Sequence, residues 1–378
     1  MISRGRWQNH RDLYLIRNIV WGVKLESTKA VFPIECVEKS RLSGIDFAKL
    51  PFGSVFSDHM LCAEYRDGHW EEPCIVPYGP LELPPSISAL HYGQAIFEGF
   101  KAHRLANKGI ALFRPGDNFA RFNRSAERLS MPQVPASLFL DGIAELVRLD
   151  REWVPRTEGA GLYIRPIYFA TDEALVVRPA KNYRLVVFTC PVGPYFAEPL
   201  RLLVEEHFVR AFPGGTGFTK AAGNYAGSLL ASRLAQEQGF HNVVWLDGPT
   251  RTLVEESGLM NIFFVIDGEA ITPPLGGTIL PGVIRDSVIT LLREMDVSVN
   301  ECAIRIEELV SAHKDKSLSE AFGVGTAATV APIEMIRYRI HDIELPPKTQ
   351  SVAERVREKL IAIRTGRQPD VHRWLMPV

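Results

Sequence analysis

A run rich in proline and glycine, Pro191-Val-Gly-Pro194 with Pro199 close behind, breaks this chain near its middle. Such residues sustain neither a ladder nor a helix, so the stretch reads as a connection between two separately folded halves. Short β-type runs alternate with helical patterns on both sides of it. In the first half, Ile110–Phe113 and 162–170 predict strands, and 183–190 a buried strand that the prolines interrupt. Segment 117–129 places Phe119, Phe122, Ala126 and Leu129 on one face at helical spacing, and 138–150 predicts a second helix.

In the second half, 228–238 reads as a helix stopped by Gly239, and 242–247 as a strand. Segment 261–271 reads as a hairpin turning at Asp267-Gly268, a pair that tolerates positive φ. Segments 283–295 and 350–365 are amphipathic helices, the latter ended by Gly366. The fold class is α/β (α+β), with mixed sheets in two domains. The expected boundaries are an N-terminal extension over 1–48, a small domain over 49–190, an interdomain loop over 191–202 and a large domain over 203–378. Strand order stays open.

The 378 residues carry a formal charge of −1 with the signs interspersed, which points to small-molecule partners rather than nucleic acid or an anionic membrane. Five scattered cysteines without a Cys-x-x-Cys pair, and ten histidines without ligand spacing, predict free thiols in a reducing compartment and no metal. No apolar run approaches the ~20 residues of a membrane span. A cytoplasmic protein is expected, with Arg4, Arg6, Arg11 and Arg17 keeping organelle targeting open. Residues up to about Lys49 read as a loosely packed extension.

The chemistry concentrates in a few segments. In Phe212-Pro-Gly-Gly-Thr-Gly-Phe-Thr-Lys-Ala-Ala-Gly-Asn-Tyr225 a single lysine, Lys220, stands on a wall of small residues before a helix. Small residues let backbone approach a flat ligand, and a shielded lysine can attack an aldehyde. Taken alone, a solvated lysine is the commoner outcome. A phosphate-cradling loop fits badly, because no hydroxyl follows Lys220. Glu255-Glu256 leads into a buried strand, where a carboxylate needs a partner such as a protonated pyridine; a solvated turn is the plain alternative. Leu280-Pro-Gly282 opens a helix whose N–H groups suit an anion, or simply starts the helix well. Gly323 to Ala328 offers a small-residue turn bearing Thr326, and Arg121 beside Phe122 is a phosphate clamp or a surface arginine.

Lys220 with Gly223-Asn224-Tyr225, Glu256 five residues before Asn261, Leu280-Pro-Gly282 and Gly325-Thr326-Ala327 occur here in one order. That order resembles the class IV, fold-type IV pyridoxal-phosphate aminotransferases. Within them the chain is similar to the branched-chain aminotransferases of the larger, eukaryotic-like subgroup. The closer likeness rests on Phe52-Gly-Ser-Val-Phe-Ser-Asp-His-Met60, Ala89-Leu-His-Tyr-Gly-Gln-Ala-Ile-Phe-Glu-Gly-Phe-Lys101, Leu162-Tyr-Ile-Arg-Pro166 and Pro191-Val-Gly-Pro-Tyr-Phe196. It runs from about Pro51 to about Ile340 and more loosely beyond.

The resemblance implies a lysine-bound pyridoxal 5'-phosphate on Lys220, which also shuttles the substrate proton. Tyr225 would bond the cofactor's phenolic oxygen, and Glu256 would keep its ring nitrogen protonated. Arg121, Thr326 and the N–H groups of Val283 and Ile284 would hold the phosphate, while Thr326 and Ala327 receive the substrate carboxylate. Phe52, Tyr92, Phe97, Tyr163 and Tyr195 would line an aromatic pocket for Val, Leu or Ile, with Arg165 serving the second carboxylate of glutamate. Leu175 and Val177 match a loop that reaches the partner's pocket in a homodimer. The implied reaction moves the amino group of branched-chain L-amino acids to 2-oxoglutarate in two halves.

Three departures stand out from that pattern. Ile284 and Leu259 replace threonines, and Ala328 and Ala331 replace a redox-active cysteine pair, so no such switch is expected. Two same-fold chemistries compete, a D-amino-acid aminotransferase and an aminodeoxychorismate-type lyase, and so does a non-catalytic ligand-binding protein. The pocket strings speak against the first two, and the joint presence of Lys220, Tyr225 and Glu256 against the third.

Overall fold

The computed structural model describes residues 32–50, 52–193, 198–345 and 348–378. Eight strands before the proline-glycine break build the first sheet. They are β1 (His59–Arg66), β2 (His69–Trp70), β3 (Cys74–Pro77), β4 (Ala95–Phe97), β5 (Phe100–Arg104), β6 (Ile110–Phe113), β7 (Gly161–Ala170) and β8 (Tyr183–Val192). The second sheet holds β9 (Leu200–Glu205), β10 (Asn242–Leu246), β11 (Val254–Ser257), β12 (Met260–Ile266), β13 (Glu269–Thr272), β14 (Val299–Glu301), β15 (Leu318–Gly325), β16 (Thr329–Tyr338) and β17 (His341–Glu344). The last strand, β18 (Leu375–Pro377), crosses back to pair with β6 in the first sheet.

The first sheet is antiparallel at every named pairing and runs β18-β6-β5-β7-β8-β1-β2, with β3 on β1 and β4 on β7. The second is mixed, because β9 lies parallel to both β10 and β16. It runs β11-β10-β9-β16-β15-β12-β13-β14, and β11 also pairs with β12, so six strands close into a ring. Closure aims neighbouring side chains of β11 and β12 at one rim.

Among the described residues eight α-helices cover the sheets: α1 (Ser88–Tyr92), α2 (Pro115–Arg128), α3 (Gly142–Leu149), α4 (Ala222–Ala226), α5 (Leu229–Glu237), α6 (Val283–Glu294), α7 (Ile306–Lys314) and α8 (Val352–Arg364). Helix α2 buries Phe122 and Ala126 of the expected stripe against the first sheet, with Phe119 and Leu129 at its margin. The segment expected as one helix over 138–150 opens as a π-helical turn, Ser137–Asp141, before α3. Helices α6 and α8 share a core with β12 and β15 that includes Phe263, Phe322, Leu291 and Leu360. The hairpin between β12 and β13 turns as expected, with φ +49° at Asp267 and +81° at Gly268.

Two expectations need correction. Strand β8 does not stop at Cys190 but continues through Pro191, which pairs with Leu162. Thr189 directs its carbonyl toward Ser57, so Pro191, two residues on, turns the same way, past the end of β1. The missing N–H therefore costs no ladder bond. The stretch read as a loose extension is packed from Phe32 onward. Phe32 is buried in the first core, and the main chain at 33–35 bonds both N–H and C=O of Ile75. Asp58 accepts from Ser40, the Arg41 N–H and the Trp153 indole, and these donors hold its carboxyl below the usual range despite its burial.

Candidate active site

Lys220 is fixed through its backbone first. Its carbonyl accepts from Phe97 on β4 at 3.1 Å, and its N–H donates to the Ser125 hydroxyl on α2 at 3.0 Å. Asn224 laces the preceding loop by bonding Thr216 and Thr219. At Gly217 the loop lies so close to a neighbouring turn that a Cβ would stand within bonding reach of the Thr278 carbonyl, at 2.3 Å. The lysine side chain is thereby aimed from a rigid wall. Its Nζ donates to the Tyr225 hydroxyl at 2.8 Å and sits 4.9 Å from the Phe97 ring centre.

Aromatic residues continue outward from that amine. Phe97 and Tyr225 meet edge-on at 4.7 Å, and the Arg165 guanidinium lies over Phe97 at 4.7 Å and over Tyr163 at 5.2 Å. Arg165 donates to the Tyr163 hydroxyl at 2.9 Å, and Phe52 packs edge-on against Tyr163 at 5.3 Å. The hydroxyl end of Tyr163 rests against Gly99, where a Cβ would be 1.9 Å from Oη; only glycine leaves that space. Tyr92 stands apart, exposed at the end of α1 with His91 as its ring neighbour. Tyr195 lies outside the described residues. Leu175 and Val177 are exposed on a loop.

Successive residues of β11 point to opposite sides, which separates the two adjacent glutamates. Glu255 accepts from the Thr278 hydroxyl. Glu256 turns toward Tyr225, and both line a cavity of about 10 Å3 with Arg210, Asn224, Gly258, Leu259 and Leu280. Its Oε1 accepts from Asn261 at 3.0 Å and from the Leu280 N–H at 3.2 Å. Its Oε2 lies 2.7 Å from Arg210 Nε, off the N–H direction. Burial raises the Glu256 carboxyl to about 7, and Arg210 and the Leu280 N–H only partly oppose it.

The candidate phosphate residues converge on one dipeptide. Arg121 forms a two-pronged pair with the fully buried Glu98, at 2.6 and 2.9 Å, and donates to the Pro281 carbonyl at 3.2 Å. Burial alone would depress that guanidinium, but Glu98 holds it above its ordinary value. Thr326 donates to the carbonyl of the next residue, Gly99, at 3.0 Å. Val283 and Ile284, the first residues of α6, line a second small cavity together with Thr326. Ala327 follows, its carbonyl taken by Lys101 Nζ at 3.0 Å.

Glu98 and Arg210 were not singled out from the sequence. A glutamate inside the apolar run Ala-Ile-Phe-Glu-Gly-Phe was the available signal for the first, since a buried carboxylate needs a cation. Arg210 carries no local signal, because its partner is forty-six residues away, the difference between 256 and 210.

An amine bonded to a phenol, a buried carboxyl, and a helix start beside a threonine are groups that would suit a phosphorylated aldehyde cofactor. The chain belongs to the class IV amino-transferases, whose family model matches residues 95–336. It is 43% identical over 335 residues to branched-chain-amino-acid aminotransferase 2 of Bacillus subtilis, spanning 87% of this chain and 92% of the relative. It is 40% identical to the branched-chain-amino-acid aminotransferase of Mycobacterium tuberculosis, over 86% of this chain and 91% of the relative.

Among solved structures, a T.th. branched-chain amino acid aminotransferase complexed with N-(5'-phosphopyridoxyl)-L-glutamate superposes with a TM-score of 0.67. The identity is 30%, over 83% of this chain and 97% of the other. The Thermoproteus uzoniensis enzyme with norvaline gives 0.69 at 26% identity, over 83% and 98%. The resemblance and the mixed α/β fold expected from sequence are borne out. The cofactor that goes with them is pyridoxal phosphate, and the residues present fit it. Lys220 offers the amine for its aldehyde, Tyr225 a donor for its phenolic oxygen, and Glu256 an acid for its ring nitrogen. Among the described residues no helix is long and apolar enough to cross a membrane.

Proposed function

We propose that this protein transfers the amino group of L-leucine, L-isoleucine or L-valine to 2-oxoglutarate through pyridoxal phosphate held on Lys220. The observation that carries the reading is the Lys220 Nζ to Tyr225 hydroxyl bond of 2.8 Å, with Glu256 on the wall of the cavity that Tyr225 lines. The bound cofactor supplies an electron sink for the negative charge that develops at the substrate Cα. Lys220, displaced by the substrate amine, would take the proton from the substrate Cα and return it at the C4′ carbon of the cofactor. Tyr225 restrains that amine, and Phe97 keeps water from its apolar flank.

Glu256 holds a proton on the ring nitrogen. The N–H groups of Val283 and Ile284, the Arg121 Nη1–H left over from Glu98, Asn118 and Pro281, and the Thr326 hydroxyl once it turns from the Gly99 carbonyl would hold the phosphate. Thr326 and Ala327 receive the substrate carboxylate. Phe52, Tyr92, Phe97, Tyr163 and Tyr195 enclose the branched side chain. The two sheets are the cores of the small and large domains. A cytoplasmic homodimer completes the reading, with exposed Leu175 and Val177 reaching the partner's pocket. Leu259, 57% exposed beside Glu256, adds apolar bulk where threonine would bring a hydroxyl.

Arg165 serves both kinds of substrate. Its stem and stacked face line an aromatic wall for leucine, and its guanidinium meets the second carboxylate of glutamate. Initial rates with L-leucine, L-glutamate and D-alanine on wild type and Arg165→Ala test the proposal. Wild type should use both L-donors and not D-alanine. The variant should lose about 100-fold in kcat/KM with glutamate and under tenfold with leucine, a difference the size of one charge-assisted pair. Activity restricted to D-alanine, or equal losses on both L-donors, would contradict the assignments.

A further inference from the structure

Behind the turn that carries Thr326 and Ala327, three cationic side chains are buried together. Lys101 and His103 are two apart on β5 and so share a face, and Arg364 comes from the last turn of α8. Their residues are only 5%, 4% and 3% exposed. Among the described residues none of the three has an ion-pair partner; Lys101 and His103 face Arg364, and Arg364 itself lies over the Phe113 ring at 4.4 Å. Lys101 donates to the Ala327 carbonyl, His103 Nδ1 to the Ala160 carbonyl at 3.1 Å, and Arg364 to the Thr329 hydroxyl at 3.0 Å.

Two buried nitrogens, His103 Nε2 and Arg364 Nε, have no hydrogen-bond partner at all. Thr329 adds a further mark. This β-branched residue stands at φ +65°, a conformation it adopts only when its surroundings impose it.

A protein seldom gathers unpaired cations in its interior without an anion to meet them. The same three residues line a cavity of about 710 Å3 with the buried Thr329 and the more exposed Arg355, Arg357 and Arg367. Glu158 and Glu358 also line it, but Glu158 is taken by Arg367 at 2.6 Å and Glu358 is exposed. That volume is far larger than an ion needs and suits a small metabolite.

We infer that this cavity is a second ligand site, adjoining the small cavity of Val283, Ile284 and Thr326, for a small molecule carrying an oxyanion head, phosphate ester or carboxylate. The head is seated on Lys101, His103 Nε2, Arg364 and the Thr329 hydroxyl, and the rest extends toward Arg355 and Arg357. Burial pushes Lys101 down to about 7 and His103 to about 3 without such an anion, and an anion restores their charge. The site backs onto the turn of residues 326–328 through Lys101, and its three cations also line the small cavity of Val283, Ile284 and Thr326.

The test is thermal unfolding of the holoenzyme, saturated with pyridoxal phosphate so that the cofactor's own phosphate cup is filled. Inorganic phosphate and citrate are compared with chloride at constant ionic strength. Either oxyanion, at a hundredfold excess over its dissociation constant, should raise the midpoint by about 3 °C over chloride for a chain of this length. Phosphate acting alone assigns an ester head, and citrate acting alone a carboxylate head. Lys101→Met should shrink the rise to under about 1 °C; if that variant does not fold, His103→Gln carries the same test. No rise above chloride in wild type, or a rise undiminished in the variant that folds, would overturn the inference.

Discussion

Lys220→Ala is expected to fold normally and to lose at least about 10^4-fold in turnover, because one change removes both the covalent anchor and the proton carrier. The fold should survive because the structural bonds of this residue are made by its backbone. The Phe97 N–H still donates to its carbonyl, and its own N–H still reaches Ser125. The side chain is half-buried and contacts one hydroxyl and two ring faces, so truncation opens little cavity. Thermal unfolding and steady-state rates separate the two effects. A midpoint within about 2 °C of wild type with turnover lost is the predicted pair. A residual rate within tenfold of wild type would mean that another group carries the proton.

Glu256→Gln is expected to lower kcat by about 10^2 to 10^3-fold while costing the apoprotein little stability. The amide keeps the shape, but it cannot hold a proton on a pyridine nitrogen as a carboxylate does. The small cost in stability follows from the direction of the titration. Burial raises the folded carboxyl from 4.5 to about 7, so the folded protein binds this proton more tightly than the unfolded chain. The favourable contribution is therefore complete below about pH 4.5 and is lost as pH rises through about 7. Between these values the wild-type apoprotein should lose stability relative to Glu256→Gln, opposite to the trend of an ordinary paired carboxylate. Denaturant midpoints of both apoproteins at pH 5 and pH 8 check the sign. A variant that becomes relatively weaker at the higher pH would show that the Arg210 pair outweighs burial.

Much of the frame was legible because it depends on neighbours in sequence. The Asp267-Gly268 turn, the stop of α5 before Gly239 and the stripe of α2 each follow from a few adjacent residues. Tyr225 entered through the resemblance as a partner for the cofactor's phenolic oxygen, and its bond to Lys220 appears only once α4 closes the five-residue span. Features set by distant partners were not legible. Glu98 finds Arg121, and Glu256 finds Arg210, only after β4, α2 and the closed ring bring them together.

The same holds for β18. Three residues of the C-terminal end join the first sheet against β6, which no local pattern announces. Pro191 misled for a subtler reason: a proline breaks a strand only where its absent N–H would have faced a partner. The cationic cavity was invisible as well, since Lys101 and His103 carry no local mark and Arg364 reads as the tail of a helix until β5 and α8 meet.

Two lysines, the half-buried Lys220 and the buried Lys101, can compete for an aldehyde. Lys220 faces Tyr225, whereas Lys101, lowered to about 7 by burial, faces the Ala327 carbonyl. Borohydride reduction of the holoprotein, followed by digestion and mass analysis, decides between them. One phosphopyridoxyl group per chain on the peptide containing Lys220 is the predicted result. Label on Lys101, on some other lysine, or on none would contradict the account.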